Sequence, residues 1–285
     1  MLSVLIVNWN TRQLLQACLT SLRQFPSSEP TEVIVVDNAS IDDSAEMVRS
    51  DFPDVRLLSN NRNAGYAKGN NMAFEAASGD WLLTLNPDTE VFAGTLDSAI
   101  RVLQDDPTAG CVGVRQLGQD GKTQRSVRGF PTLLGIAGDV LRIRSGRFDS
   151  YRLDRFDYEV EQEAPQPMGT FLLFRRAALA DIGDPRQPFD ETFPIFFNEV
   201  DLLLRLRNAG WKCLYTPNAQ ILHHGGESTK LVRKNMIWES HRSLVRFLRK
   251  HHGTGFEAVG LIFLAPVVYA AAFLRAKGYH AGFEP

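Results

Sequence analysis

Three places in this 285-residue chain end an apolar run on a cluster of Asn and Asp. Val4 to Val7 runs into Asn8-Trp9-Asn10. Val33 to Val36 runs into Asp37 and Asn38, with Ser40 close behind. Trp81 to Leu85 runs into Asn86-Pro87-Asp88. Short apolar, β-branched runs of this kind form buried strands. In parallel α/β sheets, ligands bind beyond the carboxyl ends of the strands, so all three clusters are expected to face one crevice. Asn, Asp and Ser are also ordinary turn formers. Any single cluster is explained that way; three together point to a site.

Two later segments carry groups that can complete a reaction centre. Phe189 to Asp201 (FDETFPIFFNEVD) sets four acids among phenylalanines. Glu199 and Asp201 fall where a helix begins, and acids there can be mere dipole partners and caps, the plain reading for Asp201. Glu199 follows Phe196, Phe197 and Asn198, which places it at the wall of an apolar pocket. Desolvation there raises a carboxylate's pKa and suits it to accept a proton. Further on, Ile221-Leu222-His223-His224 runs into Gly225-Gly226. Adjacent strand residues face opposite ways, so at most one of the two histidines reaches the crevice. Near Asp88 it can complete a divalent-metal site; a structural or surface histidine is the alternative.

The segment Asn61 to Asn71 (NRNAGYAKGNN) places Gly65 and Gly69 around an aromatic at a helix start. Backbone N–H groups there, with Arg62 or Lys68 nearby, can meet a phosphate. A glycine loop with a solvated Lys is the alternative. The segment is neither the G-x-G-x-x-G dinucleotide fingerprint nor a Walker loop, which counts against a dehydrogenase and a P-loop ATPase.

The elements that must position these groups follow from periodicity. Strands are expected at Val4 to Trp9, Val33 to Asp37, Val55 to Leu58, Trp81 to Leu85, Phe171 to Phe174, Lys212 to Tyr215 and Gln220 to Leu222. Helices are expected after Thr11, which offers a cap, at Gly65 to Ala77, around Leu96 to Leu103, at Leu133 to Ile143, and from Val200 to Ala209 before Gly210. Alternating strands and helices predict a mostly parallel sheet with right-handed crossovers. Residues 120–165 are rich in Gly, Pro, Arg and Asp and show little periodicity.

Composition narrows the class. An apolar share of 44% supports a real core, and a net charge of −2 gives no sign of a nucleic-acid partner. Cys18, Cys111 and Cys213 are far apart in sequence and form no C-x-x-C pair, which fits a reducing compartment. The first apolar run is too short for a signal peptide, so a cytoplasmic protein is expected.

In order and spacing, these pieces resemble the family 2 glycosyltransferases of GT-A fold, especially the bacterial rhamnosyltransferase-like branch. The matching pieces are the three strand ends, Asn63-Ala64-Gly65-Tyr66-Ala67-Lys68-Gly69-Asn70, Met168-Gly169-Thr170-Phe171, Phe189-Asp190-Glu191, Glu199-Val200-Asp201-Leu202 and His223-His224-Gly225-Gly226. They run over about residues 2–230, each weak alone and strong in their order.

The resemblance implies a GT-A (Rossmann-like) α/β domain over 1–228, with a nucleotide-binding half (1–118) and an acceptor half (119–228), then a C-terminal helical segment (229–285). It implies that Asn8 and Asn10 border the nucleotide base and that Asp37, next to Asn38, bonds the base or ribose. Asn63, Gly65, Lys68 and Asn70 would lie against the nucleotide of a sugar donor. Asp88, with Asn86 beside it, would hold Mg²⁺ or Mn²⁺, and His223 would be the later metal or diphosphate contact. Glu199 would be the base that activates the acceptor hydroxyl, with Gly169, Thr170 and Asp201 on the acceptor side. The chain departs from the family where Asn86 replaces an acid and where Asn198 precedes Glu199. An apparent insertion, Asp184 to Gln187, is expected to reshape the acceptor side.

Two rival readings are a sugar nucleotidyltransferase and a binding protein that kept the fold without the activity. The first wants a glycine-rich basic loop after strand one, and residues 8–16 hold no Gly and only Arg12. The tail adds a location. Lys230, Arg233, Lys234, Arg242, Arg246, Arg249 and Lys250 stand against only Glu239, with Ile237, Leu244, Val245 and Leu248 as an apolar stripe. Ala258 to Leu274 is almost wholly apolar with Pro266 inside it. Such a pair suits the surface of an anionic inner membrane, beside a glycan or lipid-linked acceptor; packing on the catalytic domain is the alternative.

Overall fold

The computed structural model describes residues 1–141, 151–225 and 233–278. Arg142, Ile143, Gly226, Glu227, Ser228 and Lys230, on which the sequence reading drew, lie outside the described residues. The first half alternates as expected. Strand β1 (Leu2–Asn8) is followed by helix α1 (Arg12–Gln24), β2 (Thr31–Asp37), α2 (Ser44–Asp51), β3 (Arg56–Ser59), α3 (Tyr66–Ala76) and β4 (Trp81–Leu85). β1 is buried at every residue, which is why its sequence is a continuous apolar run rather than an alternating one. β1 pairs in parallel with both β2 and β4, and the register sets Asn8 directly beside Asp37. Two of the polar strand ends are therefore neighbours by backbone hydrogen bonding alone.

The second half continues through β5 (Thr89–Val91), α4 (Thr95–Asp105), β6 (Ala109–Leu117), β7 (Val127–Arg128), α5 (Leu133–Leu141), β8 (Gln162–Glu163) and β9 (Gln166–Pro167). It ends with β10 (Phe171–Arg175), α6 (Arg176–Ala180), α7 (Asn198–Asn208), β11 (Lys212–His223), α8 (Arg233–His252) and α9 (Gly255–Ala276). The main sheet runs β3-β2-β1-β4-β10-β6-β11-β5, with β8 on β11. β10 is antiparallel to β4 and β6, so the sheet is mixed at its centre.

Strand β6 is central yet has no counterpart in the sequence reading, because Gly110 and Gly113 interrupt its apolar run. They mark close approach rather than a turn. A Cβ on Gly113 would sit 2.4 Å from Pro167 Cβ, and one on Gly110 would sit 2.8 Å from Ala178 Cβ. The two expected strands after Gly210 are one strand, β11, whose register shifts between Thr216 and Gln220 around Pro217. Thr11 precedes α1 but does not cap it through its side chain; its hydroxyl donates instead to Asn8 Oδ1 at 2.6 Å.

The C-terminal pair is built into the molecule. Leu244, Val245 and Leu248, expected on a membrane-facing stripe, are buried in the same core as Leu5, Phe74 and Phe197. Of the basic residues on that helix, Lys250 pairs with Asp190 and Asp201, and Arg246 lies 3.5 Å from Glu239. α8 is therefore a wall of the domain, which corrects its reading as a surface helix for anionic lipid. α9 divides differently. Leu261, Leu264, Ala265, Val268 and Ala272 face inward, while Val259, Ile262, Phe263, Val267, Phe273 and Leu274 are exposed. Pro266 sits inside the helix on the exposed side without ending it.

Candidate active site

A cleft of about 960 Å³ opens above the carboxyl ends of β1, β2 and β4. The strand ends contribute Asn8, Trp9, Asn38, Asn86, Pro87 and Asp88, and the start of α3 contributes Asn63, Gly65 and Tyr66. Met168, Gly169 and Thr170 enter from the turn before β10, and Phe196 and Glu199 from the start of α7. His223 closes the floor from the end of β11. A further wall is α8, through Asn235, Met236, Trp238, Glu239 and Arg242.

The ends of β1 and β2 form one connected network, with the Asn38 amide donating to the Asn8 carbonyl (2.9 Å). Asn8 Nδ2 donates to Asp37 Oδ1 (3.0 Å) and Ser40 Oγ (3.1 Å), and Ser40 N donates to the other Asp37 oxygen (3.0 Å). Asn38 Nδ2 donates to the Gly65 carbonyl (3.1 Å), and Asn60 donates to Asn38 Oδ1 (2.8 Å). Asp37 is buried behind Asn8 and does not line the cleft, and Asn10 turns away to accept from Ile41 N (2.8 Å). Asn8 and Asn38 are thus fixed at the surface of the cleft by residues in a layer below.

The glycine loop does something other than what its residue types suggested. The first two amides of α3, on Tyr66 and Ala67, both donate to the Pro194 carbonyl (2.7 and 3.1 Å). Those donors are consumed within the protein, so the helix start is not a phosphate cradle. Gly65 adopts φ +88°, and its missing side chain admits Pro194, whose carbonyl oxygen would lie 3.0 Å from a Cβ. Lys68 reaches toward Glu191 (3.8 Å), not into the cleft, and Asn70 is buried, donating to the Tyr66 carbonyl (2.9 Å). Neither lines the cleft.

Asp88 and His223 face each other, Oδ2 to Nε2, at 3.6 Å. Gln124 Oε1 lies 2.8 Å from His223 Nδ1. A carbonyl oxygen can only accept, so Nδ1 carries a proton and Nε2 is the ring nitrogen turned toward Asp88. A carboxylate and a neutral imidazole nitrogen at this separation can touch one divalent cation between them, and Gln124 supplies the outer-shell support such a histidine requires. Among the described residues no group of three or more His, Cys, Asp or Glu forms a metal cage. Two protein ligands suit an ion that takes its remaining oxygens from phosphates and water, as Mg²⁺ characteristically does. His224 points the other way, to Glu90 at 2.8 Å.

Glu199 lies across from Gly169, where a Cβ would approach its Cγ to 3.3 Å. Burial pushes the Glu199 carboxyl above the usual carboxylate range. Its own amide, the Arg128 charge and the Val200 amide pull less strongly the other way. Such a group is poised to take a proton. Phe197, just before the helix, adopts φ +66°, a conformation uncommon for a bulky side chain, and directs the chain into α7. Tyr66 also lines the cleft. Its hydroxyl donates to Asn86 Oδ1 (3.0 Å) and lies 3.4 Å from the Gly169 carbonyl. Burial, then the charges of Glu199 and Asp88, push its phenol far up, so it stays protonated.

Asp201 is not on the acceptor side. It is fully buried and bound by Arg205 (2.9 Å) on its own helix and by Lys250 (2.6 Å) and His251 (2.8 Å), which lock α7 to α8. Despite desolvation, these partners hold its carboxyl down to about 2. The Asp184 to Gln187 segment is a tight exposed turn, closed by Gln187 N donating to the Asp184 carbonyl (3.0 Å), and none of it lines the cleft.

The sequence profile of glycosyl transferase family 2 matches residues 3–183. The chain belongs to that family. It is similar to N-acetylglucosaminyl-diphospho-decaprenol L-rhamnosyltransferase of Mycobacterium tuberculosis, at 30% identity over 90% of this chain and 87% of the relative. Its fold resembles a mannosyltransferase of Pyrobaculum calidifontis solved with GDP-Man and Mn²⁺. That match has TM-score 0.58 and 19% identity, over 96% of this chain and 69% of the other. It also resembles TarS residues 1–349 of S. aureus, with TM-score 0.56 and 17% identity, over 97% and 82%. The fold is GT-A and the protein is a glycosyltransferase, which removes the nucleotidyltransferase reading. Within this family 2 enzyme, Tyr66 and the cleft-facing residues of α8 escaped the sequence reading. Tyr66 was visible in its motif but overshadowed by its glycines. The cleft-facing α8 residues Asn235, Trp238, Glu239 and Arg242 share an i, i+3, i+4, i+7 spacing, whereas the apolar period of that helix marks a different face.

Proposed function

We propose that this glycosyltransferase moves a sugar, a deoxyhexose such as rhamnose, from a nucleotide diphosphate to a hydroxyl of a lipid-linked glycan, with inversion at the anomeric carbon. The observation that carries the reading is the presence, in one cleft, of a carboxyl raised by burial (Glu199) and the Asp88–His223 pair. The acceptor hydroxyl attacks the anomeric carbon, Glu199 takes its proton, and the bond to the diphosphate breaks with its electrons leaving on oxygen. Asp88 and His223 would hold a divalent cation, which would supply Lewis-acid stabilisation of that charge. Asn86, in place of an acid, is held by Tyr66 and adds no charge to the cation's surroundings. The 30% identity to a decaprenol-linked rhamnosyltransferase supports both the sugar and the class of acceptor. The test is a panel of nucleotide-diphosphate sugars with a sugar-diphosphate lipid acceptor, the product read by NMR. Rhamnose transfer with an inverted anomeric centre is expected; preference for another sugar or retention overturns the reading.

The same proposal places the enzyme in the cytoplasm on the inner face of the plasma membrane. Glu257–Ala276 is long and apolar enough to cross a bilayer, but one of its faces is buried in the domain, which favours lying on the surface. Ile262, Phe263, Val267 and Phe273 supply the outward apolar face, and Lys277 lies over the Phe273 ring at its end, 5.0 Å from the centroid. In cell fractionation the full chain is expected with membranes, and a chain with Ile262→Asp and Phe263→Asp in the supernatant. A full chain soluble at low salt without detergent overturns the placement.

A further inference from the structure

Helix α8 presents one stripe to the cleft, Asn235, Trp238, Glu239 and Arg242, at i, i+3, i+4 and i+7. Nothing in the mechanism uses it. The neighbouring positions Ser240, His241, Ser243, Leu244, Val245 and Phe247 face the core, so the stripe is held by packing rather than left loose.

The charges on this wall are unequal in their engagement. Glu239 accepts from Ser243 Oγ (3.2 Å) and lies 3.5 Å from Arg246. Arg246 in turn donates to the Thr192 carbonyl, and Lys250 is held by Asp190 and Asp201. Arg242 has no ion pair or hydrogen bond among the described residues, and it is the sole Lys or Arg among those lining the cleft. Among the described residues, three carboxyl side chains also line the cleft, on Asp88, Glu199 and Glu239. A diphosphate entering it meets repulsion unless each phosphate cluster has a cation. The Asp88–His223 pair can provide one. Arg242, on the α8 wall, is the second. One turn before it, Trp238 is partly exposed and offers an aromatic face to the same space.

An aromatic face next to an unengaged guanidinium is the chemistry of a phosphorylated sugar: the ring's apolar face stacks, and the planar fork takes phosphate oxygens in paired hydrogen bonds. We infer that Trp238 and Arg242 form the subsite for the acceptor's sugar diphosphate, Trp238 packing on the sugar and Arg242 binding the phosphate that links it to lipid. This rests on the proposed lipid-linked acceptor and assigns its recognition to α8.

The test uses the full chain with three probes: a sugar diphosphate on a short isoprenoid chain, the same sugar as a neutral octyl glycoside, and a nucleoside diphosphate. Arg242 is exposed, so Arg242→Gln is expected to fold with an unchanged Tm. It should weaken binding of the isoprenoid sugar diphosphate roughly tenfold or more, read without donor by tryptophan fluorescence. Affinity for the nucleoside diphosphate and for the octyl glycoside should not change. Arg242→Lys should recover part of the loss, and Trp238→Phe should remove most of the fluorescence change. In turnover, the loss should appear in KM for the diphosphate acceptor and leave kcat near its original value. Weaker nucleoside diphosphate binding with intact acceptor binding would assign Arg242 to the donor and overturn the inference. Equal weakening toward the octyl glycoside would overturn it too. Because binding is read separately, a protein that binds the sugar-diphosphate lipid through Arg242 but transfers nothing to it would sink the proposed function and leave this subsite standing.

Discussion

The two walls of the cleft are made in opposite ways. The strand-end wall is a closed network in which Asn8, Asp37, Ser40, Asn38 and Asn60 bond one another and the Gly65 carbonyl. The α8 wall carries Trp238 and Arg242, and its cation waits for a partner. A network satisfied before any ligand arrives has fixed geometry and loses little entropy on binding. The open wall can select among acceptors. Preorganisation and selectivity are divided between sheet and helix, and Glu199 joins the same cleft from α7.

That division can be broken first at the floor. Removing divalent cations with EDTA is expected to abolish transfer, with Mg²⁺ or Mn²⁺ restoring it, because Asp88 and His223 are the cleft residues whose chemistry suits a divalent cation. Full activity in EDTA would show that the leaving diphosphate is neutralised by protein cations instead.

The next largest effect is at the junction. Glu199→Gln should lower kcat roughly 10²–10⁴-fold while nucleotide affinity stays unchanged. The pH profile sharpens this. A base works only when deprotonated, and burial raises this carboxyl, so activity should fall with decreasing pH at a higher pH than an ordinary carboxylate gives. That acidic limb should vanish in the Gln variant; its persistence would assign it to another group.

A third test detaches the walls from each other. Asp201→Asn removes a buried anion held by Arg205, Lys250 and His251, and should cost about 2 kcal/mol or more in denaturant unfolding. The wild type should lose the same contribution in acid. The folded carboxyl sits at about 2 and the unfolded one near ~3.9, so the unfolded state binds more protons between these values. The stabilisation is fully present above about pH 4 and is lost as pH falls through about 2. An acid unfolding curve identical in wild type and Asp201→Asn would contradict this.

The smallest expected effect is steric. Gly169→Ala places a Cβ 3.3 Å from Glu199 Cγ, close enough to push the carboxyl aside by a few tenths of an ångström. A fall in kcat of about tenfold, with stability little changed, is expected from such misplacement of a base. Unchanged kcat would mean that Glu199 has slack in this direction.

Much of the strand-end wall was legible in the chain alone. Buried parallel strands are continuous apolar runs, and a polar cluster at the end of each has one place to go, so Asn8, Asn38, Asn86 and Asp88 could be placed in the crevice from residue order. Glu199 was visible through its phenylalanine approach. Local pattern failed where a residue's meaning depended on a distant partner. Gly110 and Gly113 look like breakers and are contact points for Ala178 and Pro167. The α3 start looks like an anion site, but Pro194, far along the chain, takes its amides. Asp201 and Lys68 carry charges that suggest chemistry and are spent on Lys250 and Glu191. The apolar period of α8 was correct, yet only tertiary packing decided that this stripe faces the core and that the polar stripe faces the cleft. Sequence period fixes which residues share a helix face; which surface that face meets is set by the three-dimensional path of the rest of the chain.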